Sequence, residues 1–358
     1  MGTFRTVQAL RGVAAVLVVA YHGSLLLQQR LGWGGRAFDL GASGVDIFFA
    51  ISGFVMILTT AGRGRRPGAW REFLRRRLLR IVPLYWLVTL ARLAALGLAP
   101  GAALHAAVAP WHTVASLLFI PARSPQGYVG PLVPVGWTLN VEVFFYLLFA
   151  AVMAAGRRPL VWVPPLLAAA FVVGLFRTDD WPAVTSLFHP MVAEFPLGMA
   201  VGGALLAGRR LPERWAPLTA AAAILAMVAS SLVPGLDESP YRVLLYGAPG
   251  ALLLASLVAM EDRWGRLLSG FPARLGAASY SLYLTHGFVQ AVVGVAAARL
   301  HMAGPAGLAA AFATALLAPI PVSLAVHRWV EEPLGRVAGA AMRFVPGGHP
   351  GNARAELP

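Results

Sequence analysis

The sequence predicts an all-α, polytopic membrane protein with about ten transmembrane helices. Three observations carry that reading. Hydrophobic residues make up 58% of the 358-residue chain and charged residues only 12%, with a mean hydropathy of +0.69, a composition far outside that of soluble domains. Apolar runs of the roughly 20 residues that a bilayer requires recur along the chain. The basic residues, all of them arginine, gather in short blocks between those runs, as cytoplasmic loops do.

The runs lie at 7–27, 43–61, 81–99, 137–155, 159–176, 187–207, 216–233, 243–260, 275–298 and 306–327. With the N-terminus inside, alternate loops carry Arg63, Arg65, Arg66, Arg71, Arg75, Arg76, Arg77 and Arg80, then Arg157 and Arg158, then Arg209, Arg210 and Arg214, then Arg263, Arg266 and Arg274. The opposite loops keep single arginines such as Arg30, Arg36, Arg123, Arg177, Arg242 and Arg299. This bias places both termini in the cytoplasm, and the membrane is expected to be a bacterial-type inner or plasma membrane. Residues 1–337 read as one membrane domain and residues 338–358 as a mobile cytoplasmic tail. The net charge of +14 sits in these loops rather than on one soluble face, which argues against a nucleic-acid partner and for membrane lipid. The absence of cysteine removes disulfides, thiolate nucleophiles and Cys-ligated metals, and no metal site is expected. The first run carries Arg11 and His22 and lacks a small-residue cleavage site, so it reads as a retained helix.

Polar groups inside the apolar runs are costly and therefore mark function. Arg11 and His22 lie eleven residues apart, which on an α-helix returns to within about 20° of the same direction some 16 Å further along. In the second run, Asp46 stands a turn inside the outer boundary, where a carboxylate can cap its own helix. Glu142 in the fourth run, with Tyr146 one turn on, has no adjacent partner in its own helix and needs one from another helix or must be protonated. Tyr280, Tyr283 and His286 share approximately one face of the ninth run. Counted from the inner boundary, His286, Glu142 and His22 fall at depths of about 16, 21 and 22 Å. Glu194 in the sixth run stands next to Pro196, where a half-broken helix can satisfy it locally. Arg77 and Arg80, backed by Arg76, present guanidinium groups at the cytoplasmic interface, a geometry suited to phosphate. Glu331 and Glu332, after the last run, are placed to pair with that arginine cluster. The loop 100–134, with His105, Trp111 and His112, reads as irregular interfacial structure. An imidazole with a carboxylate at midplane serves a general base as well as it serves the proton relay of a transporter; a non-catalytic scaffold of envelope-glycan assembly is a third reading.

Taken together, the segments LRGVAAVLVVAYH, GVDIFFAISGF, RRLLRIVPLYW, GWTLNVEVFFY, SYSLYLTH and HRWVEEPLGR resemble, in order, the motifs of the acyltransferase-3 family of integral membrane acyltransferases. The resemblance covers nearly the whole chain. It implies transfer of an acyl group, usually acetyl, from acyl-CoA to a hydroxyl of a carbohydrate or other acceptor, with no metal. It implies His22 as the essential histidine, acting as base or as transient acyl carrier, with Arg11 as its partner. Glu142, after W-T-L where the family usually has W-S-L, would charge-balance the imidazole. Arg77 and Arg80, with Arg76, would hold the CoA phosphates, while Asp46, Tyr283 and His286 would line the site. Any later step outside the membrane would require a partner protein of envelope biosynthesis.

Overall fold

A computed structural model describes residues 4–62, 66–98, 109–235 and 239–341. Arg63, Arg65, His105 and the tail from residue 342 lie outside the described residues. The helices are α1 (Arg5–Leu31), α2 (Ser43–Thr60), α3 (Ala69–Leu98), α4 (Pro110–Leu117), α5 (Trp137–Ala154), α6 (Pro159–Leu175), α7 (Glu194–Leu206), α8 (Ala216–Ser231), α9 (Ala248–Ala259), α10 (Glu261–Trp264), α11 (Phe271–Ala277), α12 (Ser279–Arg299), α13 (Pro305–Leu317), α14 (Pro319–Val326) and α15 (Glu332–Ala341). Among the described residues, the β-structure given is an isolated bridge between Arg123 and Val129.

Six helical stretches among the described residues are long and apolar enough to cross a bilayer: Arg5–Leu31, Asp39–Thr60, Ala69–Leu98, Pro134–Ala154, Ser279–Arg299 and Pro305–Val337. The sequence led us to expect about ten. Pro159–Leu175, Pro190–Leu206 and Val243–Ala259 are apolar but shorter, and α8 has 16 residues. The count of about ten is thus not confirmed, because hydropathy does not register the backbone geometry that interrupts some of the runs. The run at 187–207 opens in 3₁₀ turns that include Pro190–Ala193, and that at 243–260 opens in a π-helical turn, Val243–Gly247.

The helix ends are satisfied locally or by remote partners. The first backbone N–H groups of α1, on Arg5 and Thr6, each donate at 2.9 Å to the carboxylate of Glu261. A negative charge is favourable at that end of a helix. Helix α1 stops at Gly32, whose φ of 64° suits glycine, and Pro110, Pro159, Pro305 and Pro319 open their helices where a missing N–H is harmless. Helix α1 lies against α2, α11, α12 and α13, α2 against α7 and α9, and α3 against α5. The Gln290 amide of α12 donates to the carbonyls of Val19 (2.8 Å) and Ala315 (3.2 Å), which fixes α12 between α1 and α13. These contacts converge α1, α2, α3, α5 and α12 on one interior space.

Candidate active site

That space is a cavity of about 120 Å³ lined from all five helices, with Arg11 from α1, Ser52 from α2, Arg77 and Arg80 from α3, Glu142 and Tyr146 from α5, and Tyr280 and Tyr283 from α12. Arg77 and Arg80, one turn apart, both reach it because i and i+3 share a helix face. The Arg77 guanidinium donates to Thr59 Oγ1 at 2.8 Å, and Arg11 donates to Gln8 Oε1 at 3.0 Å. Arg80 is exposed. Arg76 takes another direction and pairs with Glu72 at 2.5 Å, so it stands beside the cavity rather than in it. Oε1 of Glu142 accepts hydrogen bonds from Ser52 Oγ (3.0 Å) and Tyr146 OH (2.5 Å). Three guanidinium groups thus face one carboxylate, and the balance suits an anionic ligand with more than one charge.

The sequence expectation that Glu142 partners His22 is not met. Its hydrogen-bond partners come from α2 and its own helix, whereas α1 lies against α12 along the histidine face. The neighbour of His22 is His286: His286 Nε2 stands 3.3 Å from His22 Nδ1, with ring centroids 5.0 Å apart. His22 Nδ1 lies 2.9 Å from the Val18 carbonyl and His286 Nδ1 lies 3.1 Å from that of Leu282. A backbone carbonyl has no hydrogen to give, so in each neutral ring Nδ1 carries the proton and Nε2 keeps its lone pair. The Nε2 of His286 then faces the Nδ1–H of His22, and the Nε2 of His22 is left with basic character. Neither histidine lines the cavity; Tyr283 does, and its ring is 6.2 Å from that of His286.

Asp46, read as a site-lining candidate, lies elsewhere. It is fully buried and takes two hydrogen bonds from Arg242, from Nε at 2.9 Å and from a terminal nitrogen at 2.6 Å. Arg242, expected in an outer loop, is itself only 8% exposed, and the fully buried Glu194 lies within electrostatic reach of both. This cluster ties α2, α7 and the segment before α9. Glu331 accepts from Ser281 Oγ at 2.6 Å and lies 2.9 Å from His327 Nδ1, within electrostatic reach of Arg80 and Arg11. The pairing of the histidines and the Ser52–Glu142–Tyr146 contacts escaped the sequence reading. Equal depth in the bilayer was a signal that these groups could meet, but not of which would pair. Among the described residues no group of three or more His, Cys, Asp or Glu is arranged to hold a metal ion.

Comparison with known proteins places this architecture. Residues 4–327 match a family model described as an acyltransferase domain. The exopolysaccharide production protein ExoZ of Rhizobium meliloti (strain 1021) is 34% identical over 319 residues, covering 87% of this chain and 95% of that protein. The acyltransferase MdmB of Streptomyces mycarofaciens is 27% identical over 376 aligned positions, covering 92% of this chain and 91% of that protein. No solved structure matches. A match that spans nearly every described helix, on a chain with six membrane-length stretches, means that the chain belongs to the acyltransferase-3 family and is an integral membrane O-acyltransferase.

Proposed function

We propose that the protein transfers an acyl group, acetyl in the first instance, from acyl-CoA to a hydroxyl of a carbohydrate or similar acceptor, with His22 as general base. The observation that carries this reading is the Nδ1 contact of His22 with the Val18 carbonyl, which leaves Nε2 unprotonated and available. In the reaction, Nε2 of His22 takes the proton of the acceptor hydroxyl as its oxygen attacks the thioester carbonyl. The carbon–sulfur bond breaks, and the leaving CoA thiolate takes the proton back from the imidazolium. His286 acts as a positioning residue that holds the His22 ring by its Nδ1–H. Arg11, Arg77 and Arg80 receive the phosphates of the donor, with Arg76 supplementing the field from outside the cavity. Glu142, held by Ser52 and Tyr146, keeps the three guanidinium groups from splaying apart.

Family membership favours the enzyme over a proton-coupled transporter, and the arginine-lined cavity supports a phosphate-bearing donor, which a proton relay does not require. The name of the relative ExoZ supports a polysaccharide acceptor. The test is release of free CoA thiol from acetyl-CoA by the purified protein in lipid, against a panel of glycans and small alcohols. Release is expected to require one class of acceptor and to vanish in His22→Ala, with the variant still folded and membrane-inserted. Turnover retained by His22→Ala would sink the mechanism.

A further inference from the structure

Tyr283 stands between the cavity it lines and His286, and Phe48 packs beside it on the cavity wall. Phe48 and Tyr283 both line the cavity, and they meet edge to face with centroids 6.0 Å apart at 74°. On its other side Tyr283 approaches His286. An acyl group that leaves the cavity toward the histidines on this side meets the Tyr283 ring, with Phe48 packed against it.

The two rings are anchored differently. The hydroxyl of Tyr283 donates to the Val135 carbonyl at 3.0 Å and shares a 2.8 Å hydrogen bond with Thr138 Oγ1, which fixes its ring at the far end. Phe48 has no polar atom to anchor it. It is half-buried and packs where three apolar clusters meet, one around Phe49 and Tyr85, one around Ile47 and Phe54, and one around Val19 and Leu282. A side chain held by dispersion alone, with open space on one side, changes rotamer at lower cost than one held by hydrogen bonds. Phe48 is thus the half of the wall that yields.

We propose that Phe48 sets the acyl-chain limit of the donor. This rests on the reading of the cavity as the acyl-CoA site. A short acyl group passes with a rotamer change of Phe48. A chain of medium length needs Tyr283 to leave its two hydrogen bonds as well. The substrate class is therefore acetyl-like CoA thioesters.

The test compares the binding of acetyl-CoA and octanoyl-CoA, measured by calorimetry on the full chain in lipid nanodiscs. The parent is expected to bind acetyl-CoA at least about tenfold more tightly, against the trend that added methylenes give in an open apolar site. In Phe48→Ala the ratio is expected to approach unity, with Phe48→Leu between, and the Leu variant carries the test should the Ala variant not fold. Equal binding of both thioesters by the parent, or undiminished discrimination in a folded Phe48 variant, overturns the proposal. Absence of any CoA binding by the parent instead overturns the reading of the cavity as donor site, and this proposal with it.

Discussion

Arg242 shows how a residue assigned by topology alone can acquire a different role through packing. As a single arginine in an outer loop it looked incidental, yet it is the guanidinium that neutralises Asp46, with Glu194 alongside. Arg242→Gln strands the buried carboxylate of Asp46. It is expected to destabilise the protein by about 3–5 kcal/mol, the usual cost of breaking a buried pair from one side. The double variant Arg242→Gln with Asp46→Asn is expected to lie closer to the parent, because it removes the charge that the single variant leaves unpaired. Thermal unfolding in lipid nanodiscs reads both; a single variant as stable as the parent would show that the pair carries no such load. The same contrast marks what was legible in the sequence. That Arg11 and His22 share a face follows from helix pitch, which is local. That His22 meets His286, 264 positions away, while Glu142 turns to Ser52 and Tyr146, depends on which helices pack together, and no local pattern encodes it.

At the scale of elements, the position of Glu142 over Ser52 depends on α2, and the position of α2 depends on how closely α7 can approach it. A methyl group built at Gly198 would fall 1.7 Å from the Ala50 carbonyl oxygen, and one at Gly53 would fall 2.1 Å from that of Phe195. The obstructing atoms are backbone, so a side chain cannot move aside and the helices must separate. Gly198→Ala is expected to cost about 1–3 kcal/mol and to lower turnover by displacing the α2 wall of the cavity. Gly287→Ala, in α12 beside His286 with nothing within 4 Å of the added carbon, is the matched control and is expected to be neutral or mildly stabilising. Unfolding midpoints of the two variants check this; equal values would remove the close-packing argument. The small-xxx-small pattern of Gly198 and Gly202 was visible in the sequence. Its partner helix was not, because the pattern names a smooth surface and not what lies against it. The difference between ten apolar runs and six membrane-length helical stretches among the described residues has the same origin, since apolar composition is compatible with α, 3₁₀ and π backbone alike.

For the whole molecule, the remaining question is which way it faces, and the structure sharpens the arginine argument. The outer-loop arginines are largely consumed by structure: Arg36 donates to the Leu232 and Ser231 carbonyls, Arg123 to those of Gly127, Asp179 and Trp181, Arg177 to Thr185, and Arg242 to Asp46. In the loops expected inside, Arg71, Arg157 and Arg214 lie over Trp70, Trp162 and Trp215 at 5.1, 5.2 and 5.9 Å. Arginine with tryptophan at an interface is how a helix end is held at the headgroups. Under the arginine bias both termini are expected inside, and the exposed Arg80 is then expected to face the cytosol. The cysteine-free sequence makes the test direct. Thr178→Cys, at an exposed position expected outside, and Ser269→Cys, at an exposed position expected inside, each introduce the sole thiol of the protein. A membrane-impermeant maleimide is expected to label the first in intact spheroplasts and the second only after permeabilisation. The reverse pattern would place the arginine-lined mouth outside the cell, and the donor would then have to be something other than cytosolic acyl-CoA.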